Sequence, residues 1–172
     1  LLLLYWRTDF VDSHEIMRWT MGSLAVTDFG PVWRAGMFFA AGCLVLLAVT
    51  RPLNLLATGE PAAHSRGVNV RRLKQVIFFG ASVLTAAVVA ISGPIGFVGI
   101  IVPHTVRLLF GADHRVVMPC SLLLGGGFMV VCDTLCRSIM PPLELPVGVL
   151  TALLGGPFFI WLLRQEKRQS FG

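Results

Sequence analysis

Charge is scarce in this chain of 172 residues. Only 13% of its residues are Asp, Glu, Lys or Arg and 55% are hydrophobic, whereas soluble domains carry about 25% charged residues. An ordinary soluble domain is thereby excluded. Signatures of chemistry are missing as well. There is no H-E-x-x-H pair, and His104 has no evident nucleophile to work with, which argues against an intramembrane peptidase. There is no G-x-x-x-x-G-K-S/T loop, so the chain has no ATP site of its own. Only four cysteines occur: Cys43, Cys120, Cys132 and Cys136. Cys132 and Cys136 stand one helical turn apart, which suits neither a C-x-x-C redox pair nor a zinc site, and packing is their expected role. No basic stripe is interleaved with aromatics, so the net charge of +5 does not point to nucleic acid. No catalytic residue and no metal ligand is assigned.

What the chain has instead is long apolar runs. Ala35–Thr50, Gln75–Val106, Val116–Cys132 and Leu145–Leu163 contain no Asp, Glu, Lys or Arg. A membrane-spanning helix needs about 20 mostly apolar residues. The second run is too long for one span and is interrupted by Gly93-Pro94-Ile95-Gly96, so it is read as two. The expected fold is all-α, a polytopic transmembrane bundle of about five spans. Leu1–Trp6 reads as the stub of an earlier span. The chain opens on Leu inside an apolar run with no signal peptide before it, so it is read as a piece of a longer one.

Basic residues orient the bundle. The segment Arg51–Lys74 holds Arg51, Arg66, Arg71, Arg72 and Lys74; Arg107 and Arg115 flank a later turn, and Arg164, Lys167 and Arg168 lie in the tail. The other side has Arg7, Arg18, Arg34 and Arg137, diluted by Asp9, Asp12, Glu15 and Asp28. The Gly59 segment, the Asp113 turn and the C-terminus are therefore placed in the cytoplasm.

That polar segment, residues 51–74, also carries turn chemistry. Gly59 can end one helix, Pro61 can open the next at its first turn, and Gly67 can end that one. Leu53, Leu55 and Leu56 before Gly59, with Ala62 and Ala63 after it, offer apolar points of contact. From composition, two readings stand: a docking element for a soluble partner, or a solvated loop whose arginines only set orientation.

Further patterns lie along the chain. His14–Trp19 has helical spacing, with Ser13 as a candidate N-cap and Trp19 as a candidate interface anchor. Gly80, Ala81, Ala86, Ala87 and Ala90 permit close helix contact. Gly93, Gly96 and Gly99 recur every three residues, which predicts a bare strip along one helix face, either for a neighbouring helix or for a bulky passing ligand. Pro103 permits a kink. Gly125-Gly126-Gly127 marks a close-contact or flexible point. Asp133 lies about 25 Å up its helix from Val116, at about 1.5 Å per residue. A lone Asp within a span costs about 2.5–3.5 kcal/mol, and Arg137 at i+4 can offset part of that.

Five stretches resemble one family. Asn54-Leu55-Leu56-Ala57-Thr58-Gly59-Glu60, followed by Ala63 and Arg66-Gly67-Val68, resembles the cytoplasmic coupling loop of FecCD-like permeases, the membrane subunits of bacterial ABC importers for iron-siderophores, haem and cobalamin. His64, Ser65, Arg66 and Pro61 depart from the family form. Met17–Leu24 is similar to a short periplasmic helix beside the family's translocation path. Ser92–His104 with Arg107, and Asp113-His114-Arg115, match two further family patterns. Leu145–Leu163 matches the family's last span.

The resemblance implies a C-terminal half-permease working by alternating access in the bacterial inner membrane. It implies a coupling loop with Asn54, Leu55, Leu56, Gly59, Glu60, Ala63, Arg66 and Gly67 against the ATPase. It implies a translocation path past Gly93, Gly96, Gly99 and Pro103, and binding-protein docking at Arg137. The implied partners are a second permease copy, an ATP-binding subunit that holds ATP and Mg, a periplasmic or lipid-anchored substrate-binding protein, and membrane lipid. No cofactor and no nucleic acid is expected on this chain. The competing reading is a secondary transporter or a structural subunit of another membrane complex, which explains the spans but not a docking-type loop.

Overall fold

The structure, a computed structural model, describes residues 16–25, 28–139 and 145–170, with side chains up to residue 165. The Leu1–Trp6 stub, Ser13 and the turn residue Glu144 lie outside the described residues. Every regular element among those described is helical. After a short helical turn at residues 16–20 come α1 (Phe29–Ala48), α2 (Thr50–Ala57), α3 (Glu60–Ser65), α4 (Val70–Ser92), α5 (Val98–Phe110), α6 (His114–Ile139) and α7 (Val147–Ser170).

Four of these, α1, α4, α6 and α7, are long and apolar enough to cross a membrane. Their side chains carry the same message. Phe78 is 68% exposed and Leu123 77% exposed, a state tolerable only against lipid or other protein. The fifth apolar helix, α5, has 13 residues. At about 1.5 Å per residue it is about 20 Å long, short of the about 30 Å hydrocarbon core. About five spans were expected; among the described residues four helices are long enough to cross, and the fifth apolar helix, α5, is shorter than an ordinary span. Residues 93–97 of the apolar run stay outside any helix, and Gly111, at φ +85°, closes the other end.

The chain forms two compact units. One comprises Leu1–Val26, Ile91–Ile101 and Phe128–Gly172; the other comprises Thr27–Ala90 and Val102–Gly127. In the second unit α1 starts at Asp28, whose carboxylate accepts from the Gly30 N–H at 3.1 Å. Glycines bring α1 and α4 together. A Cβ on Gly80 would sit 3.1 Å from Leu46, and one on Gly42 would sit 2.6 Å from Leu84. The expected close contact at Gly80 is present, and Gly42 adds a tighter one. Of the Gly125–Gly127 triplet, only Gly125 has a neighbour, Val102, at ordinary contact distance.

The first unit has a small core of Cys132, Cys136 and Val147, with Leu24, Phe128, Met129 and Leu150 around it. The packing role expected for that cysteine pair holds: each is 1% exposed and unbridged.

Candidate functional site

The polar segment between α1 and α4 is built from backbone chemistry. α1 stops at Val49, and α2 starts at once, with the Thr50 hydroxyl donating to the Leu47 carbonyl at 2.9 Å. Gly59 then turns the chain at φ +112°, ψ 149°, a region that only glycine occupies at little cost. α3 follows with Pro61 in its first turn, where a missing N–H costs nothing. Its end is a Schellman motif. The Val68 N–H donates to the Ala63 carbonyl at 3.1 Å and the Gly67 N–H to the His64 carbonyl at 3.0 Å, with Gly67 at φ +81°.

The turn roles expected of Gly59, Pro61 and Gly67 are those observed. Asn69 completes the path by capping α4, its side chain accepting from the Arg72 N–H at 3.1 Å. An Asn two residues after a terminating glycine is a local signal for a new helix. Ala63 is fully buried, and Leu55 and Leu56 are half-buried. Arg66 is exposed at the C-cap of α3. Glu60 opens α3 and pairs with Lys74 of α4, both ends exposed.

A second connection joins two motifs that are far apart in sequence. The Asn54 side-chain N–H donates to the Asp113 carboxylate at 2.5 Å. Its Oδ1 lies 2.8 Å from the His114 backbone N–H and 2.7 Å from the His114 Nδ1. A carboxylate can only accept, so the Asn54 NH₂ must face Asp113 and its Oδ1 must face His114. Nδ1 of His114 therefore carries the proton. Asp113 also caps α6, accepting from the Arg115 N–H at 2.9 Å through its side chain. That backbone hydrogen bond, followed by the one from Asn54, holds the Asp113 carboxyl below its ordinary range.

In the other unit, a backbone crossing replaces side-chain chemistry. Residues 19–22 pass between two buried glycines, Gly93 and Gly148. A Cβ at Gly93 would lie 1.9 Å from the Trp19 carbonyl oxygen, and one at Gly148 would lie 2.1 Å from that of Met21. The Ser23 N–H donates to the Ser92 carbonyl at 2.8 Å, and the Gly148 N–H to the Gly22 carbonyl at 3.1 Å. These bonds matter because buried backbone polar groups left without partners are costly. Next to the crossing, Phe97 holds φ +66°, rare for a bulky residue. A Cβ on Gly155 would come 2.2 Å from the Phe97 side chain.

This corrects the glycine strip. Gly93 and Gly96 belong to no helix, because α4 ends at Ser92 and α5 starts at Val98. Gly93 is a buried close-approach point at φ +67°, whereas Gly96 and Gly99 are exposed with open space beside them. Pro103 lies inside α5. Arg137, in the last turn of α6, donates through Nε to Asp133 at 2.8 Å and stays 47% exposed. The intrahelical pair expected from their spacing is present.

Comparison with known proteins decides the family. The model of the FecCD transport family matches residues 2–165. This chain belongs to the FecCD transport family. Among curated members, it is 40% identical over 165 residues to the hemin transport system permease protein HmuU of Yersinia pestis, covering 96% of this chain and 49% of that one. It is 48% identical over 151 residues to the cobalamin import system permease protein BtuC of Halobacterium salinarum, covering 88% and 40% respectively. A solved structure, an inward-facing conformation of a metal-chelate type ABC transporter, superposes with a TM-score of 0.83 at 36% identity, over 95% of this chain and 53% of the other. The chain spans about half the length of the curated relatives it matches. Family membership and the four long apolar helices make this a multi-pass protein of the inner membrane.

Proposed function

We propose that the chain is part of the permease subunit of an ATP-binding-cassette importer that moves an iron-siderophore, haem or cobalamin-type chelate by alternating access. The observation that carries this reading is the α2–Gly59–α3–Gly67–α4 segment. A plain connector between two spans has no need of two short helices, a Schellman motif and two positive-φ glycines. Asn54, Leu55, Leu56, Gly59, Glu60, Ala63, Arg66 and Gly67 form the coupling surface for an ATP-binding subunit, which holds ATP and Mg. A second permease copy and a substrate-binding protein complete the assembly. Gly96 and Gly99, bare and exposed, and Pro103 border the path, with Gly93 holding its wall. The test is transport of a radiolabelled ferric siderophore, haemin or cobalamin by the full-length permease, its ATPase and its binding protein in proteoliposomes. ATP-independent uptake would point to a secondary transporter instead.

Topology gives a direct check. In a full-length background with the native cysteines replaced, Ser65→Cys is expected to react with a membrane-impermeant maleimide only from the cytoplasm. Ser65 is exposed at the end of α3. Glu144→Cys is expected to react only from outside. The reverse pattern would invert the orientation.

Docking of the binding protein is assigned to Arg137, which keeps exposed surface despite its Asp133 partner. Arg137→Glu is expected to weaken docking by about 2–5 kcal/mol where the contact is desolvated, more than Arg137→Gln does. A Glu→Arg change on the binding protein should restore part of it. Equal weakening by both variants without rescue would leave Arg137 as a partner for Asp133 alone.

A further inference from the structure

Within the unit that holds the coupling segment, α2 is tied to other helices in two ways. Covalently, it continues from α1 through Val49 and leads through α3 to α4. Across space, Asn54 binds the turn between α5 and α6 through three contacts to two residues. The turn itself is stiff. Gly111, at φ +85°, closes α5 with its N–H on the Arg107 carbonyl at 3.0 Å. Two residues later Asp113 opens α6, accepting from the Arg115 N–H through its side chain and from the Val117 N–H through its carbonyl at 2.8 Å. One amide side chain thus grips a point from which two helices diverge.

We infer that Asn54 is a positioning residue that makes the coupling segment and the α5–α6 turn a single mechanical body, so that displacement of α2 reaches α5 and α6 directly. The inference rests on the importer reading above. Asn suits this position because the grip needs a donor and an acceptor on one short, planar group. The donor meets a carboxylate, and the acceptor meets a backbone N–H and an imidazole N–H. Asp at position 54 would lose the donor and face Asp113 with like charge. Leu would lose every contact. Without the grip, α2 would still be carried by α1 and α4, but its motion would arrive at α6 only through packing.

The contacts can be tested one at a time. Asp113 Oδ1 accepts from both the Asn54 N–H and the Arg115 N–H. Asp113→Asn, with its amide oxygen at that point, therefore keeps both bonds, and Asn caps helices as well as Asp does. The experiment uses the full-length permease with its ATPase and binding protein in proteoliposomes. It reads substrate transported per ATP hydrolysed, a ratio that the amount of folded protein does not change. Asn54→Asp is expected to lower that ratio about five-fold or more, the size of an ordinary inter-site coupling. Asp113→Asn, which keeps a neutral acceptor for Asn54, is expected to lower it much less. If Asn54→Asp is poorly recovered from membranes, Asn54→Leu, which loses every contact without adding a charge, is expected to lower the ratio as far. An unchanged ratio in Asn54→Asp or Asn54→Leu, or a loss in Asp113→Asn as large as theirs, would overturn the inference. Failure of the unsubstituted assembly to couple uptake to ATP would instead overturn the importer reading.

Discussion

Gly93→Ala is expected to cost the full-length permease its folded state. The new methyl group would lie 1.9 Å from the Trp19 carbonyl oxygen, an overlap that no rotamer can relieve because both partners are backbone. The residue also sits at φ +67°, where a side chain adds strain of about 1–3 kcal/mol. The segment 19–22 would have to move away. Its bonds through Ser23 to Ser92 and through Gly22 to Gly148 would then be lost, leaving polar backbone unsatisfied in an apolar setting. The summed loss exceeds about 4 kcal/mol, a range reached only by such mechanisms. Gly148→Ala, pressing on the same segment from the other side at 2.1 Å, is expected to behave alike. Gly96→Ala is the control, with open space around it. Thermal unfolding of the detergent-solubilised protein, with its yield from membranes, separates them. A Gly93→Ala protein as stable as Gly96→Ala would refute the crossing.

Gly59→Val is expected to do the opposite: spare the fold and stop the work. Nothing but Pro61 comes within 4 Å of a Cβ there, and that contact is 3.9 Å, so space is not the obstacle. The obstacle is φ +112° with ψ 149°, which a β-branched residue leaves for the ordinary extended region. The angle between α2 and α3 changes, and with it the surface proposed to meet the ATPase. The spans keep their hydrophobicity and still insert. Transport and binding-protein-stimulated ATP hydrolysis should both fall about ten-fold or more, as for a coupling energy above about 1.4 kcal/mol. Glu60→Gln should change little, since a helix-end charge is worth about 0.3–1 kcal/mol and its ion pair with Lys74 is exposed at both ends. Normal transport by Gly59→Val would reduce the segment to a connector.

The contrast between these two glycines separates what could be read from the chain and what could not. At Gly59 and Gly67, the signal is local. A glycine after an apolar helical stretch, a proline two residues on and a second glycine further along specify backbone angles by themselves. The structure reproduces both turns. The apolar runs are local in the same sense: whether a stretch can span a membrane depends on its own side chains, and α1, α4, α6 and α7 fall where those runs are. Asp133 and Arg137 are one helical turn apart, and they pair.

At Gly93, the spacing misled. Three glycines at intervals of three describe a helix face only if the helix continues. It stops at Ser92, where Gly93 takes a left-handed conformation and Pro94 offers no N–H to carry the helix on. Nor does a glycine's own neighbourhood tell what fills the space beside it. At Gly93 that is the carbonyl of Trp19, and at Gly155 the side chain of Phe97.

By itself, then, the amino-acid sequence determined the membrane class, most of the helical segments and the turn chemistry of residues 51–74, because each of these follows from residues within a few positions of one another. Only the tertiary structure decided that Asn54 holds the Asp113 turn and that residues 19–22 run between Gly93 and Gly148. Both depend on groups tens of residues apart meeting at hydrogen-bond or van der Waals distance, and no local preference encodes which distant backbone arrives there.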